Sequence, residues 1–142
     1  MNDSVFRLEN QICFPLYAAA RKVTGLYTPY FHEIGITYTQ YVVFLVLWEK
    51  DGLTMGELGK RLYLDNGTLT PLLKKMEEKG YVRRCRSEKD ERVVQIFLTD
   101  EGRGLKNKLQ GVPEKVGCCV PLSPEEAITL YQLLYKILGQ EA

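Results

Sequence analysis

Four cysteines and nine tyrosines hold most of the reactive chemistry in this 142-residue chain. Cys13, Cys85, Cys118 and Cys119 form no CxxC pair and no disulfide framework, so they read as free thiols. A thiolate that attacks a peroxide oxygen becomes a sulfenic acid, which condenses with a nearby second thiol. A helical cysteine is otherwise a small buried hydrophobe, and spacing alone leaves both roles open for Cys13. Five tyrosines crowd one stretch: Tyr17, Tyr27, Tyr30, Tyr38 and Tyr41. A phenol buries its ring while its hydroxyl needs a partner. Such a cluster either surrounds a thiolate with donors or lines an aromatic interface, and spacing by itself favours the interface. With His32 as the only histidine, a zinc site is not expected, and neither is any other metal or cofactor.

The elements that must position these groups are mostly helical. Val5, Leu8, Ile12, Leu16 and Ala19 recur at three- and four-residue spacing, which predicts a helix over about 5–23. Pro15 lies inside it. It either kinks the helix near Cys13 or starts the regular part, leaving Cys13 beside a helix N-terminus whose amides favour a thiolate. Residues 41–50 are almost wholly apolar and predict a buried core helix. Thr99-Asp-Glu-Gly102 opens another helix, with Leu105, Leu109, Val112 and Val116 along one stripe and a bend expected at Pro113. Ser123-Pro-Glu-Glu126 is a serine cap, an N1 proline and a capping glutamate. Behind it, Leu130, Leu133, Leu134, Ile137 and Leu138 make a wide apolar face.

Between these ends lies a more specific pattern. Thr54-Met-Gly-Glu57 is a capping box, followed by Leu58 and Leu62 on a short helix. Leu64-Asp-Asn-Gly67 breaks the period. Leu69, Leu72, Leu73 and Met76 then form one apolar face, opposite Thr68, Thr70, Lys74, Lys75 and Glu78, with Gly80 as the stop. That is a helix-turn-helix with small hydroxyls and lysines outward. Tyr81–Arg86 and Arg92–Leu98 read as the two strands of a hairpin with a charged tip, a wing. Residues 74–92 hold eight basic side chains against five acidic ones, in a chain of net charge +1. A local basic excess on a helix-turn-helix and its wing is the footprint of a phosphate-contacting surface. The fold class is therefore mainly α with a small β-wing.

Length and a 45% hydrophobic content suit a single domain over 1–142. Its winged helix spans about 38–98, and helices over about 5–35 and 99–140 are left over. Those end helices exceed what one wing needs, which predicts a dimer with its recognition helices one DNA turn apart on a pseudo-palindrome. The N-terminal stretch carries no signal-peptide pattern, and no membrane span is expected. Free thiols then place the chain in the cytoplasm.

Leu64-Asp-Asn-Gly-Thr-Leu-Thr-Pro-Leu-Leu-Lys-Lys-Met76 and Arg86-Ser-Glu-Lys-Asp-Glu-Arg92 resemble the MarR family of transcriptional regulators. More narrowly, they resemble its organic-hydroperoxide-sensing OhrR subgroup, over about residues 8–138. Glu9-Asn-Gln-Ile-Cys13-Phe-Pro-Leu-Tyr17 matches the subgroup's E-N-Q-x-C-F-x-L-Y context. The resemblance implies that Cys13 is the redox-sensing thiol and that Tyr27 and Tyr38 of a partner subunit donate to it, with Tyr17 nearby. Thr39 stands where many relatives have proline. Val112-Pro-Glu-Lys-Val-Gly-Cys118 is similar to the segment holding the second cysteine of two-cysteine members, implying that Cys118, or adjacent Cys119, resolves the sulfenate. For DNA, the family pattern and the polar helix face point to Asp65, Asn66, Thr68, Thr70, Pro71, Lys74 and Lys75. On the wing they point to Arg84 and Arg86, with Arg92 in the minor groove and Asp90 holding it. The implied function is a homodimeric repressor of double-stranded DNA, released by organic hydroperoxide. Two other classes remain in view: a MarR-type repressor released by a small phenolic ligand, and a thiol peroxidase.

Overall fold

The buried helix expected at residues 41–50 is the structural centre. In the computed structural model, which describes residues 3–140, it runs Tyr38–Glu49 (α3) and buries Gln40, Tyr41, Val43, Phe44, Val46 and Leu47. It starts because Thr37 accepts from the Gln40 amide while the Gln40 side chain reaches back to the Thr37 N–H, a complete capping box. Before it come α1 (Cys13–Gly25) and α2 (Thr28–Ile34).

The expected N-terminal helix from Val5 is shorter in the structure. Asp3–Phe6 and Leu8–Asn10 form 3-10 turns instead, and the α-helix begins at Cys13. The side-chain amides of Asn10 and Gln11 donate to the Ser4 and Val5 carbonyls. Amides that engage nearby carbonyls in this way compete with helix propagation. The apolar stripe also has nothing to pack on: neither this segment nor α1 buries a residue. Pro15 falls in the first turn of α1, where a missing N–H costs nothing, so no kink is required.

After α3 come β1 (Leu53–Thr54), α4 (Met55–Leu62) and α5 (Asn66–Glu78), then the hairpin β2 (Val82–Arg86) and β3 (Val94–Leu98). The sheet order is β1-β3-β2, antiparallel throughout, with Leu53 opposite Ile96 and Arg84 also opposite Ile96. The Thr54–Glu57 capping box forms as expected. The turn between α4 and α5 is tighter than the expected four residues, because Asn66 and Gly67 already belong to α5. Gly59 makes this possible: a Cβ there would stand 2.6 Å from the Leu64 carbonyl oxygen. Leu58, Leu69, Leu73, Met76, Val82, Ile96 and Leu98 close one core with α3.

Helix α6 (Asp100–Lys108) is capped by Thr99, and α7 (Val112–Cys118) follows. The break falls at Gly111, whose φ of 81° only glycine adopts freely; Pro113 sits in the first turn of α7 rather than causing the bend. The stripe survives the break, with Leu105, Leu109, Val112 and Val116 all buried in the same core. By contrast α8 (Pro124–Ile137), capped by Ser123 and Glu126, buries nothing. Leu130, Leu133, Ile137 and Leu138 are exposed, like Ile12, Phe14 and Leu16 at the other end. The apolar surface left without cover therefore lies on the first and last helices, while α6 and α7 belong to the chain's own core.

Candidate DNA-reading face and thiol site

Helix α5 starts at an aspartate. Asp65 Oδ1 accepts the Thr68 amide at 2.8 Å, satisfying one of the first-turn donors that a helix leaves open. The helix start therefore lies at Asp65, and Pro71 stands inside it, lacking the N–H that would bond the Gly67 carbonyl. Leu69, Leu73 and Met76 pin one face to the core. Asn66, Thr68, Thr70, Pro71, Lys74 and Lys75 are all exposed on the remaining surface. At the far end the Tyr81 amide donates to Met76 O and the Gly80 amide to Glu77 O, a Schellman stop.

The wing tip presents a prepared arginine. Asp90 accepts from the Arg92 amide at 3.0 Å, from Nε at 3.2 Å and from Nη2 at 3.4 Å. The Arg92 side chain is nevertheless 91% exposed. Hydrogen bonds from the Arg92 backbone and guanidinium hold the Asp90 carboxyl below its usual range, so it stays charged as a strut. Arg86 Nη1 donates to the Glu91 carbonyl at 2.7 Å, bracing the tip from the other strand.

Arg84 faces another way. Glu77 Oε2 accepts the Arg84 amide at 2.9 Å, and Oε1 accepts Nε at 3.1 Å and Nη2 at 2.9 Å. The backbone hydrogen bond is the larger cause of a lowered Glu77 pKa, the side-chain bond the next. This clamp joins the recognition helix to the wing. Glu77 carried no signal in the sequence, because the contact depends on how the hairpin folds back on α5.

All four cysteines are free and exposed. Cys13 is the first residue of α1, Cys118 the last of α7, and Cys119 its cap. Cys85 is exposed on β2. The tyrosines divide into two groups. Tyr17 is exposed on α1 with Arg21 over its ring. Tyr27, at the start of α2, and Tyr38, at the start of α3, bring their rings to 5.4 Å, and Tyr41 lies 5.3 Å from Tyr27. Burial is the main cause that raises all three phenols, and it pushes Tyr41, crowded by Tyr27 and Tyr38, up to about 12. They stay protonated at any physiological pH and remain donors. Tyr41 itself is engaged with the Tyr27 hydroxyl. Thr39 occupies the first turn of α3, where proline also fits without losing a bond.

A recognition helix with an open polar face, followed by a hairpin that projects a braced arginine, defines a winged-helix transcriptional regulator. Residues 25–109 match the family model described as transcriptional regulator SarA/Rot. The organic hydroperoxide resistance transcriptional regulator of Bacillus subtilis (strain 168) is 46% identical over 132 residues, 93% of this chain and 90% of that protein. The HTH-type transcriptional regulator TtmR of Methylorubrum extorquens (strain PA1) is 50% identical over 124 residues, 87% of this chain; the chain spans only 64% of that longer relative. Among solved structures, reduced AbfR bound to DNA superposes with a TM-score of 0.77 at 36% identity, covering 98% of this chain and 96% of the other. Disulfide-formed AbfR gives 0.66 at 34%, covering 97% of each; the protein comes from Staphylococcus epidermidis. The chain belongs to the MarR family of transcriptional regulators, in the branch of the organic hydroperoxide resistance regulators. No described helix is long and apolar enough to cross a membrane.

Proposed function

We propose that the chain is a homodimeric repressor that holds a pseudo-palindromic operator while Cys13 is reduced and releases it when an organic hydroperoxide oxidises Cys13. The observation that carries this reading is the position of Cys13: exposed, in the first turn of a helix that buries none of its own residues. A thiol so placed is open to peroxide, and the exposed apolar face of α1, with Phe14 and Leu16, is left for a second copy to cover. The phenols of Tyr27 and Tyr38, fixed as donors, complete the thiolate site across that interface, with Tyr17 beside it.

The chemistry is stoichiometric. The Cys13 thiolate attacks the distal peroxide oxygen; the O–O bond breaks, an alcohol leaves, and the sulfur becomes a sulfenic acid. The Cys118 thiolate of the second copy then displaces hydroxide from that sulfur, which leaves as water once protonated, and an intersubunit disulfide forms. Cys119 is next in reach, while a bridge between neighbours Cys118 and Cys119 would be strained. On the DNA side, Asn66, Thr68, Thr70, Pro71, Lys74 and Lys75 face the major groove and its phosphates, and Asp65 fixes the helix start among them. Arg86 and Asp90 brace Arg92 for a narrow minor groove, which attracts an inserted arginine. Arg84 acts through Glu77, setting the wing. Losing most operator occupancy takes only ~3–4 kcal/mol, a few hundredfold, within reach of one disulfide that fits only the non-binding arrangement. AbfR is known bound to DNA both reduced and overoxidised, and separately with its disulfide formed. The closer likeness to the two DNA-bound forms supports reading this conformation as the binding one.

The test is a gel shift on the upstream operator, with and without organic hydroperoxide, comparing wild type, Cys13→Ser and Cys118→Ser. Wild type is released and Cys13→Ser is not. Wild type alone yields an oxidant-dependent, reducible dimer band. Release of the Cys13→Ser protein by oxidant defeats the sensor assignment. Crosslinking that persists in Cys118→Ser moves the resolving role to Cys119.

A further inference from the structure

Two long-range hydrogen bonds join the corner between α2 and α3 to the end of the recognition helix. Tyr27 stands at the start of α2 and Tyr38 opens α3, so the corner between these helices, Ile34-Gly35-Ile36, lies on the chain segment that joins the two tyrosines, whose rings meet at 5.4 Å. Helix α2 ends there with Gly35 left-handed at φ 71°, its amide on His32 O and the Ile36 amide on Phe31 O. The carbonyls at the very end of a helix have no intrahelical donor. Here they are met by side chains from the far end of α5. Lys79, the cap of α5, donates Nζ to Gly35 O, and the Tyr81 hydroxyl donates to Ile34 O at 3.3 Å. A lysine at this place also suits the negative end of the α2 dipole. Tyr81 is fixed on its other sides: its ring meets Phe44 of α3 edge-on at 5.5 Å, and its carbonyl accepts from Thr99.

We infer that Lys79 and Tyr81 are positioning residues that carry the state of the tyrosine site to the recognition helix, by holding the C-terminal cap of α5 on the corner between α2 and α3. The inference rests on the redox reading above. When oxidation at Cys13 displaces Tyr27 or Tyr38, the corner between them moves. The Ile34 and Gly35 carbonyls take the end of α5 with them, because the Schellman stop makes Lys79, Gly80 and Tyr81 one rigid unit. The core pins α5 at Leu69, Leu73 and Met76, so a displacement at the capped end tilts the helix in the groove. The contact is local to two side chains and can be removed without touching the core, the thiols or the polar face of α5.

The experiment is fluorescence anisotropy with labelled operator, measuring Kd for reduced and peroxide-treated protein. The proteins are wild type, Lys79→Met, Tyr81→Phe (which keeps the Phe44 contact), the double variant, and Lys79→Arg as the conservative control. Wild type is expected to lose a few hundredfold in affinity on oxidation, and the double variant about tenfold or less, with reduced-state affinity within about threefold of wild type. Lys79→Arg should restore most of the response, and thiol titration should show Cys13 oxidised equally in all. A purely structural role would instead lower thermal stability and weaken both redox states in parallel; an unchanged ratio of the two Kd values overturns the inference. A phosphate-contacting role for Lys79 would weaken reduced binding with a shallower salt slope and leave the ratio intact, which also overturns it. If wild type itself shows no oxidant-dependent change, the redox reading falls first and this coupling with it.

Discussion

Replacing Glu77 by glutamine should separate the wing from the recognition helix without unfolding either. Glu77 accepts three hydrogen bonds from Arg84, two of them from the guanidinium. Glutamine keeps one acceptor oxygen and turns an amide N–H₂ toward a cation. A charge-assisted bond is worth roughly 1.5–3 kcal/mol when fully desolvated. The two side chains here are 28% and 36% exposed, so solvent screening brings the loss to about 1 kcal/mol. For a chain of this size that is a fall of about 2–4 °C in Tm at pH 7. On DNA the loosened wing positions Arg92 less well twice per dimer, about 1–2 kcal/mol in all, or five- to thirtyfold in Kd. The pH dependence is the discriminating readout. The folded-state pKa of Glu77 is lowered from the ordinary 4.5, so its contribution is fully present above that value and is lost as pH falls below it. Calorimetric melts of wild type and Glu77→Gln should differ at pH 7 and converge toward pH 4. A gap that stays constant over that range, or operator affinity unchanged at pH 7, would refute the account of the clamp.

Arg92→Ala should weaken operator binding about tenfold or more and flatten the dependence of log K on log salt by roughly one unit per wing, read from a salt titration. Alkaline titration should destabilise the fold between pH 10 and about 12: Tyr27, Tyr38 and Tyr41 are raised in the folded state, so folded protein holds protons that the unfolded chain has released. Tyr41→Phe should flatten that slope in melts at pH 10–12. Placing charge on the uncovered face of α8, as Leu133→Glu with Ile137→Glu, should give a monomer by sedimentation and abolish operator binding, with the winged-helix core still folded by circular dichroism.

Local chemistry was what the sequence made legible. Thr54 with Glu57 and Ser123 with Glu126 are each decided by side chains three residues apart, and the hairpin by strand composition beside a charged turn. The start of α5, by contrast, stays open in the sequence between Asp65 and Thr68, because Pro71 argues against the earlier cap. The Leu105–Val116 stripe was readable even across Gly111, because burial follows the stripe and not the helix that bears it. Strand β1 was invisible: two residues have no period, and they are extended only because β3 lies 43 positions further on for Leu53 to pair with. The N-terminal helix is shorter than its stripe predicts, because an apolar stripe signals something to pack against and the described residues of this chain offer it no such surface. The Glu77–Arg84 clamp and the Lys79 and Tyr81 bonds were hidden for one reason: each joins groups whose meeting is settled only by how β2 and α5 lie on α3.

The bare faces of α1 and α8 make this a protein whose integrity depends on its own abundance. A helix that hides nothing within its chain gains most of its stability from a copy, so melting should shift upward with protein concentration. In a dilute cell the same mass action would thin the population able to hold an operator before any oxidant arrived. Dosage would then set the threshold of the alarm as firmly as the sulfur does.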